Sequence, residues 1–522
     1  MAASIEILFG ESHIVSVDKP GRLLSEILQQ HGYMADLPCG GKGLCGKCRV
    51  RANGSLTPPT SEEQKALGEA GLKNAWRLAC QSRVTGNVQV WPESTVSFDQ
   101  ILSAGDVRAK NMLPLYKDWG VAIDLGTTTL AAQLYGAEGL ARSVSMKNPQ
   151  TAMGADVITR IEKALAGEAE KLAQIVRAAV EQMLGSLCKS QSIEKTKLDA
   201  IVLTGNTAML HLIAGRCVEP LSHAPFAAKH KFGEYMCAHS LFDGLREDAK
   251  IYFPTCISAF VGADITTAVL ASGLYDTEET SLLVDIGTNG EIVLWHKGQL
   301  ACCSTAAGPA FEGAGIRMGM YGIPGAIDTV EWADGKIKAS TIGGKPAVGL
   351  CGSGIVDAAA VMLFSGVVDE TGAFQPTGHL LESRVENLAG QAALRIAEEV
   401  YITERDIREV QLAKGSIRAG IETLLASAGV EKKQVKRLYV AGGFGHHLNL
   451  ESAAAIGLLP RELVGCASVI GNAALTGAAL LLQSTPLITL SASLAQRACT
   501  VAMDGNPLFV ENYMQSMLFE DF

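Results

Sequence analysis

Val121-Ala122-Ile123-Asp124-Leu125-Gly126-Thr127-Thr128-Thr129 is echoed about 160 residues later by Leu282-Leu283-Val284-Asp285-Ile286-Gly287-Thr288-Asn289-Gly290. Each stretch reads as a buried apolar strand running into a turn. Asp closes the strand, Gly lets the backbone turn close to an anion, and Thr or Asn offers hydroxyl, amide and N–H donors to phosphate oxygens. Gly126, Thr127, Thr128 and Thr129, with Gly287, Thr288, Asn289 and Gly290, are therefore candidate cradles for the phosphates of a nucleotide. Two anions in contact need a cation between them, so Asp124 and Asp285 are expected to hold Mg²⁺ through water. One such strand and turn occurs by chance. Two, each heading a half of similar make-up, indicate a duplicated α/β fold with the nucleotide between its halves.

The chain has room for such a fold and more. Its 522 residues are 48% apolar and 19% charged, which is the composition of a packed globular protein of three or four units. The formal net charge of -10 gives no attraction to phosphodiester backbones or anionic lipid, so neither nucleic acid nor membrane is expected as a partner. The longest apolar stretch, residues 473–482, is interrupted by Thr476 and Gly477 and falls short of a membrane span. The first ten residues lack a basic region and carry Glu6 inside their apolar run, unlike a signal peptide, so a cytoplasmic location is expected.

Thirteen cysteines are then conspicuous, because disulfides are improbable in a reducing compartment. Cys39, Cys45 and Cys48 lie in a glycine-rich loop, and Cys80 follows after a gap. This C-x5-C-x2-C pattern with a distant fourth thiol suits four-thiolate ligation of a [2Fe-2S] cluster. Zinc is the competitor, but zinc sites favour paired Cys-x2-4-Cys knuckles and only one such pair is present. Vicinal Cys302 and Cys303, and the other seven, read as compact core residues. Around the cluster loop, residues 5–9 and 14–17 read as a strand pair, 23–30 as a short helix and 84–90 as an alternating strand. With Arg77-Leu78-Ala79-Cys80 this resembles the β-grasp fold of adrenodoxin-like ferredoxins, an α+β domain over residues 1–93. Residues 94–118 form a linker that either moves freely or is packed down by Phe98, Ile101 and Leu102.

The duplicated phosphate motif resembles the sugar kinase, heat-shock chaperone and actin (ASKHA) superfamily, in which two lobes clamp ATP. That resemblance implies an α/β two-lobed ATPase, with lobe I over residues 119–275 and lobe II over 276–522, the C-terminal segment returning to lobe I. It likens Gly442, Gly443 and Phe444 to the adenosine motif. It also likens the stretch from Gln411 to Arg418 to a helix that turns Gln411, Lys414 and Arg418 toward the adenosine from one face. Asp264 or Glu291 would position the attacking water, with an N-cap of the following helix as the plainer reading of Asp264. His446 and His447 read as surface or ribose contacts, and Met318 and Met320 as fillers of core gaps.

A ferredoxin domain joined to this ATPase resembles the reductive activators of corrinoid proteins, the RACo type. Further similar stretches are residues 148–150 with 154–157, 203–209, 260–264, 308–313, 352–354 and 506–509. Some relatives carry a middle domain between linker and ATPase, whereas here the first phosphate loop follows the linker directly. The resemblance implies one-electron transfer to the Co(II) corrinoid of a partner protein, restoring Co(I), with ATP and an upstream low-potential electron donor. It leaves the oligomeric state open, a homodimer included. Plant-type [2Fe-2S] centres lie near about -400 mV and each 59 mV uphill costs about tenfold, which gives ATP a purpose. The alternatives are an ATP-driven electron activator of a non-corrinoid enzyme and a redox-sensing chaperone or scaffold of the same fold.

Overall fold

A computed structural model of the chain describes residues 5–9, 13–18, 20–30, 41–43, 46, 48–91, 109, 112–333, 336–375, 377–388, 390–443 and 447–519. Cys39, Cys45, Phe444, His446 and most of the linker, including Phe98, Ile101 and Leu102, lie outside the described residues. Packing separates two units, residues 1–97 with 148–176 and residues 98–147 with 177–522. Residues 148–176, assigned from sequence to lobe I, thus group with the first unit.

In the first unit the alternating runs build a five-stranded sheet in the order His13–Asp18, Ile5–Phe9, Val84–Trp91, Arg49–Leu56, Trp76–Leu78. The first and last long strands, Ile5–Phe9 and Val84–Trp91, run parallel, and all other pairings are antiparallel. Helix Leu24–Gln30 lays Leu24, Ile27 and Leu28 onto the apolar face formed by Val50, Leu78, Val84, Val88 and Val90. This mixed sheet with a covering helix is the β-grasp arrangement. Residues 148–176 add helix Val157–Lys163, whose N-terminus is capped by Asp156 accepting from the Thr159 N–H at 2.8 Å.

Helix Ser61–Lys73 starts with a reciprocal cap: the Glu63 N–H donates to Thr60 Oγ1 and the Thr60 N–H to Glu63 Oε2. Glu63 is fully buried and does more than cap. It accepts two hydrogen bonds from the Arg77 guanidinium, at 2.9 and 3.0 Å, and others from the Leu78 N–H and the Ser82 hydroxyl. Burial alone would raise its pKa; Arg77 and the N–H donors of Leu78 and Thr60 outweigh that and hold it below the usual carboxylate range. The charge anchors the turn that carries Cys80. Glu63→Gln is expected to destabilise this unit by about 3 kcal/mol, measured by chemical denaturation, because it leaves Arg77 buried without its counter-charge.

The second unit holds two six-stranded sheets of matching design. In one, Lys250–Phe253, Leu198–Gly205 and Trp119–Leu125 run parallel and continue antiparallel into Thr129–Gly136 and Gly139–Lys147. In the other, Ala467–Gly471, Val435–Gly442 and Thr280–Ile286 run parallel and continue into Gly290–His296 and Gln299–Thr305. Only the outer edges differ, antiparallel Glu234–Cys237 on the first and parallel Cys499–Thr500 on the second. The duplication inferred from the two strand-turn motifs is therefore one of whole sheets. Two three-stranded sheets, Ala326–Ala333 with Lys336–Thr341 and Gly349–Leu350, and Val385–Leu388 with Gln391–Ala397 and Val400–Thr403, precede helix Glu404–Ser427.

Between the six-stranded sheets lie helices Ala263–Ser272 and Ala473–Gln483, packed on each other in a core that takes Ala122 and Val202 from one sheet and Leu283 and Val293 from the other. The second helix is the apolar stretch that fell short of a membrane span; among the described residues no helix is long and apolar enough to cross one. After it the chain runs through helix Thr485–Arg497 against Ala263–Ser272, then returns to the second sheet as strand Cys499–Thr500 and helix Pro507–Ser516. Gly477 sits where the helices cross, and a Cβ there would run into the Thr267 carbonyl. Gly477→Ala is expected to cost about 1–3 kcal/mol in thermal or urea unfolding, since the rigid backbone must part to admit it.

Candidate active site

The facing strand ends enclose a cleft of about 490 Å³, within the range of small-molecule sites. Equivalent strands deliver Asp124 and Asp285, and the turns after them bring Gly126, Thr127, Thr128 and Thr129 opposite Gly287, Thr288 and Asn289. Asp264, Glu291, Gly442 and Gly443 complete the sequence-derived set found on its walls. Gly290 is not among them: it opens strand Gly290–His296 facing Ile417, where a Cβ would clash. Of the glycine pair, Gly442 (φ +122°) is required because its Cβ would strike the Ile286 carbonyl, while Gly443 faces open space.

Asp264 does not cap its helix. Helix Ala263–Ser272 is capped by Gly262, and Asp264 lies in the first turn with Oδ1 accepting from the Ile265 N–H at 2.8 Å. Burial pushes Asp124 up to about 6, opposed by the Asn472 amide that donates to its Oδ2 at 2.8 Å. Burial, then the Asp124 charge, carries both Asp264 and Asp285 to about 7. Glu291 lies directly across the strand pair from Asp285, accepts from the Ser304 hydroxyl, and is raised well above the usual value by burial, then by Asp264 and Asp285. Four carboxylates crowded in this way make a cleft that favours a cation or bound protons.

Sequence reasoning missed three residues of the cleft. Asn206 and Asn472 each cap a helix, accepting from the Met209 and Leu475 N–H groups, and turn the amide the other way to donate to Thr127 Oγ1 and Asp124. Asn preceding an apolar helical run was the available signal. Glu312 receives hydroxyl hydrogen bonds from Thr128 and Thr288; it lies in the stretch 308–313 that carries the family resemblance, which gave it no role. The other end of the cleft is lined by Tyr321, Asp328 and Ser353, and by His447 of the adjacent histidines.

The proposed adenosine helix is elsewhere. Helix Glu404–Ser427 packs behind strands Gly290–His296 and Gln299–Thr305, with Pro507–Ser516 laid over it. Gln411 donates to the carbonyls of Thr371 and Met517, Lys414 to that of Leu518 beside the Phe519 ring, and Arg418 to Glu422 at 2.8 Å. All three are buried and none lines the cleft. The i, i+3, i+7 face is real, but Gln411 and Lys414 on it fasten the C-terminal segment and Arg418 pairs with Glu422 one turn on. Met318 packs on the core, whereas Met320 reaches the cleft.

At the thiol loop the described residues include two of the four cysteines. Cys48 and Cys80 are buried with sulfurs 3.2 Å apart. Contact with Cys48 draws the Cys80 thiol down to about 6 against the effect of burial, helped by the Gln81 amide and the Gly43 N–H. Gly43 has φ +74°, and a Cβ would collide with Gln81 and Glu62. A buried thiol pair, with Cys80 drawn down in pKa and the Gly43 N–H turned toward its sulfur, fits a thiolate-bound cluster. Cys302 and Cys303 point to opposite faces of strand Gln299–Thr305 into two cores, and burial pushes Cys302 up to about 12 and Cys303 well above the ordinary thiol value. Not all the remaining cysteines are core residues: Cys217, Cys237 and Cys499 are exposed, because they lie in a loop and on edge strands.

Three family descriptions match the chain in order: the 2Fe-2S iron-sulfur cluster binding domain over residues 7–85, the RACo middle region over 119–277, and the C-terminal domain of RACo, the ASKHA domain, over 279–521. The corrinoid activation enzyme RamQ of Eubacterium limosum is 35% identical over 426 residues, 78% of this chain and 71% of that protein. This chain belongs to the RACo family. The [Co(II) methylated amine-specific corrinoid protein] reductase of Methanosarcina barkeri is 26% identical over 378 residues, 66% of each chain. A solved structure, the reductive activator for corrinoid, iron-sulfur protein, superposes with a TM-score of 0.75 at 26% identity, covering 99% of this chain and 98% of that one. The middle region is thus not missing; it is the segment read from sequence as lobe I.

Carboxylates held above their ordinary pKa bind protons more tightly in the folded than in the unfolded chain. Their contribution to stability is complete below about pH 4 and is lost as pH rises through 6 to 7. Asp285→Asn, assayed by thermal unfolding without Mg²⁺ or nucleotide, is expected to match the parent near pH 4. At pH 8 it should be the more stable by on the order of 2 kcal/mol.

Proposed function

We propose that this chain is an ATP-dependent reductive activator that returns the Co(II) corrinoid of a partner protein to Co(I). The observation that carries the proposal is the pairing in one chain of a β-grasp thiol loop with a cleft where duplicated sheets face their phosphate loops toward each other. Neither part alone distinguishes an electron carrier from a kinase-like ATPase.

Cys39, Cys45, Cys48 and Cys80 hold the [2Fe-2S] cluster, which supplies the one-electron carrier. Asp124 and Asp285 would hold Mg²⁺ through water, and the cation would offset the burial that raises both. Gly126, Thr127, Thr128, Thr129, Gly287, Thr288 and Asn289 cradle the phosphates, with Asn206 steering Thr127. Asp264 or Glu291, both half-buried beside Asp285, orients the attacking water. Gly443 lies against the nucleoside, and Asp328 and Ser353 take over the polar contacts assigned from sequence to Gln411, Lys414 and Arg418. The two lobes close about the helix crossing at Gly477, and this motion couples the nucleotide to the partner. The domains are residues 1–93, a linker over 94–118, and lobes over 119–275 and 276–522. The protein works in the cytoplasm, takes its electron from a low-potential donor, and acts as a monomer or homodimer.

The test is anaerobic mixing of the reduced, cluster-loaded protein with a Co(II) corrinoid protein while cobalt absorbance is followed. Co(I) should form with ATP and fail to form without it. Absence of the Co(I) signal with every candidate corrinoid protein would overturn the proposal. Cys80→Ser should lose the cluster's visible absorbance and at least about 90% of the Co(I) yield, yet bind ATP as the parent does.

A further inference from the structure

Glu312 belongs to neither phosphate loop. It ends the short turn Pro309–Glu312, after which Gly313 reverses the chain with φ +81°. Its Oε2 accepts from Thr128 Oγ1 and from Thr288 Oγ1, each at 2.8 Å, and the two hydroxyl oxygens are 3.1 Å apart. The first lobe therefore meets the second at one carboxylate oxygen. All three side chains line the cleft, and the two threonines are more than nine-tenths buried.

A hydroxyl carries a single proton. While both protons point at Glu312, Thr128 and Thr288 present only lone pairs to anything else, and a phosphate oxygen needs donors. Carboxylate and phosphate are both anions, so they compete for this pair of donors and cannot share it without the repulsion already evident in the raised Asp285, to which Glu312 contributes. Charge-assisted hydrogen bonds of this kind are about twice as strong as neutral ones, so the exchange costs the incoming phosphate part of its own binding.

We propose that Glu312 is a latch between the lobes that a nucleoside triphosphate opens and a diphosphate does not, its carboxylate holding Thr128 and Thr288 together until the terminal phosphate takes both hydroxyls at some cost in affinity. The inference deepens the function proposed above and rests on its nucleotide reading. A triphosphate reaches the point between the loops and displaces the carboxylate. A diphosphate on the same nucleoside contacts stops one phosphate short and leaves the latch made. Glu312 is a positioning residue, acting through the two threonines.

Calorimetric titration of the full chain with Mg²⁺ present tests this, using the β,γ-imido analogue of ATP and, separately, ADP. Glu312→Gln keeps the size of the side chain and one acceptor oxygen but loses the charge. It should bind the triphosphate analogue about tenfold more tightly and ADP within about twofold of the parent. Damage to the fold would weaken binding, so a gain is diagnostic. Glu312→Asp, with the charge kept and the reach shortened, should give a smaller gain of the same sign, and Thr288→Val should remove the effect of Glu312→Gln. Unchanged or weaker triphosphate binding in both Glu312 variants overturns the proposal, as does equal tightening for both nucleotides. So does a fall in kcat at unchanged affinity, which would make Glu312 a water-orienting group. If the parent binds neither nucleotide, the nucleotide reading itself falls and the latch falls with it.

Discussion

Carboxylates withdrawn from water cannot be gathered in one place without a counter-charge, and this molecule gathers Asp124, Asp264, Asp285 and Glu291, all half-buried, where its two six-stranded sheets face each other. Asp124 and Asp285 arrive there because each ends the central strand of one sheet, and the sheets have the same order of strands. Asp264 arrives on the first turn of a helix and Glu291 directly across the ladder from Asp285. The surrounding polar groups answer this concentration of charge: Asn472 on Asp124, Ser304 on Glu291, and the Ile265 N–H on Asp264. A site built in this way favours a cation or bound protons, and the strand order brings two glycine-threonine turns to its edge.

The helix pair between the sheets ties the cleft to the core behind it. Ala263–Ser272 and Ala473–Gln483 approach so closely that Gly477 has no room for a side chain, yet their N-terminal ends hold Asp264 and Asn472. Contacts at the cleft and packing at the crossing are thus two ends of the same rigid rods, so a change of spacing at one end is felt at the other.

Much of this was legible in the sequence, and the limits have physical causes. The two strand-turn motifs identified the duplication because period, Asp and Gly are local signals, and the thiol spacing did the same for the β-grasp unit. The helical face of Gln411, Lys414 and Arg418 was equally visible, but periodicity says only that three side chains share a side, and the C-terminal helix covers that side. Asp264 reads as a cap because Asp before an apolar run usually is one; here the helix begins two residues earlier than that reading requires, at Ala263 instead of Ile265. The stretch that holds Glu312 was visible as part of a family resemblance, but its role was not. Its partners, Thr128 and Thr288, are distant in the chain and meet it only through the facing of the lobes.

The distance along the chain between partners has a meaning for synthesis. Asp124 waits for Asn472, 348 residues further on, and the sheet that holds it lacks its covering helix until Ala473–Gln483 has been made. The strands of the β-grasp sheet, by contrast, all lie within the first 91 residues. On a ribosome, which delivers roughly 5–20 residues per second, the thiol loop emerges many seconds before the cleft has all its walls. The part that carries electrons can therefore begin to acquire its sulfur-bound metal while the part that spends ATP is still being translated.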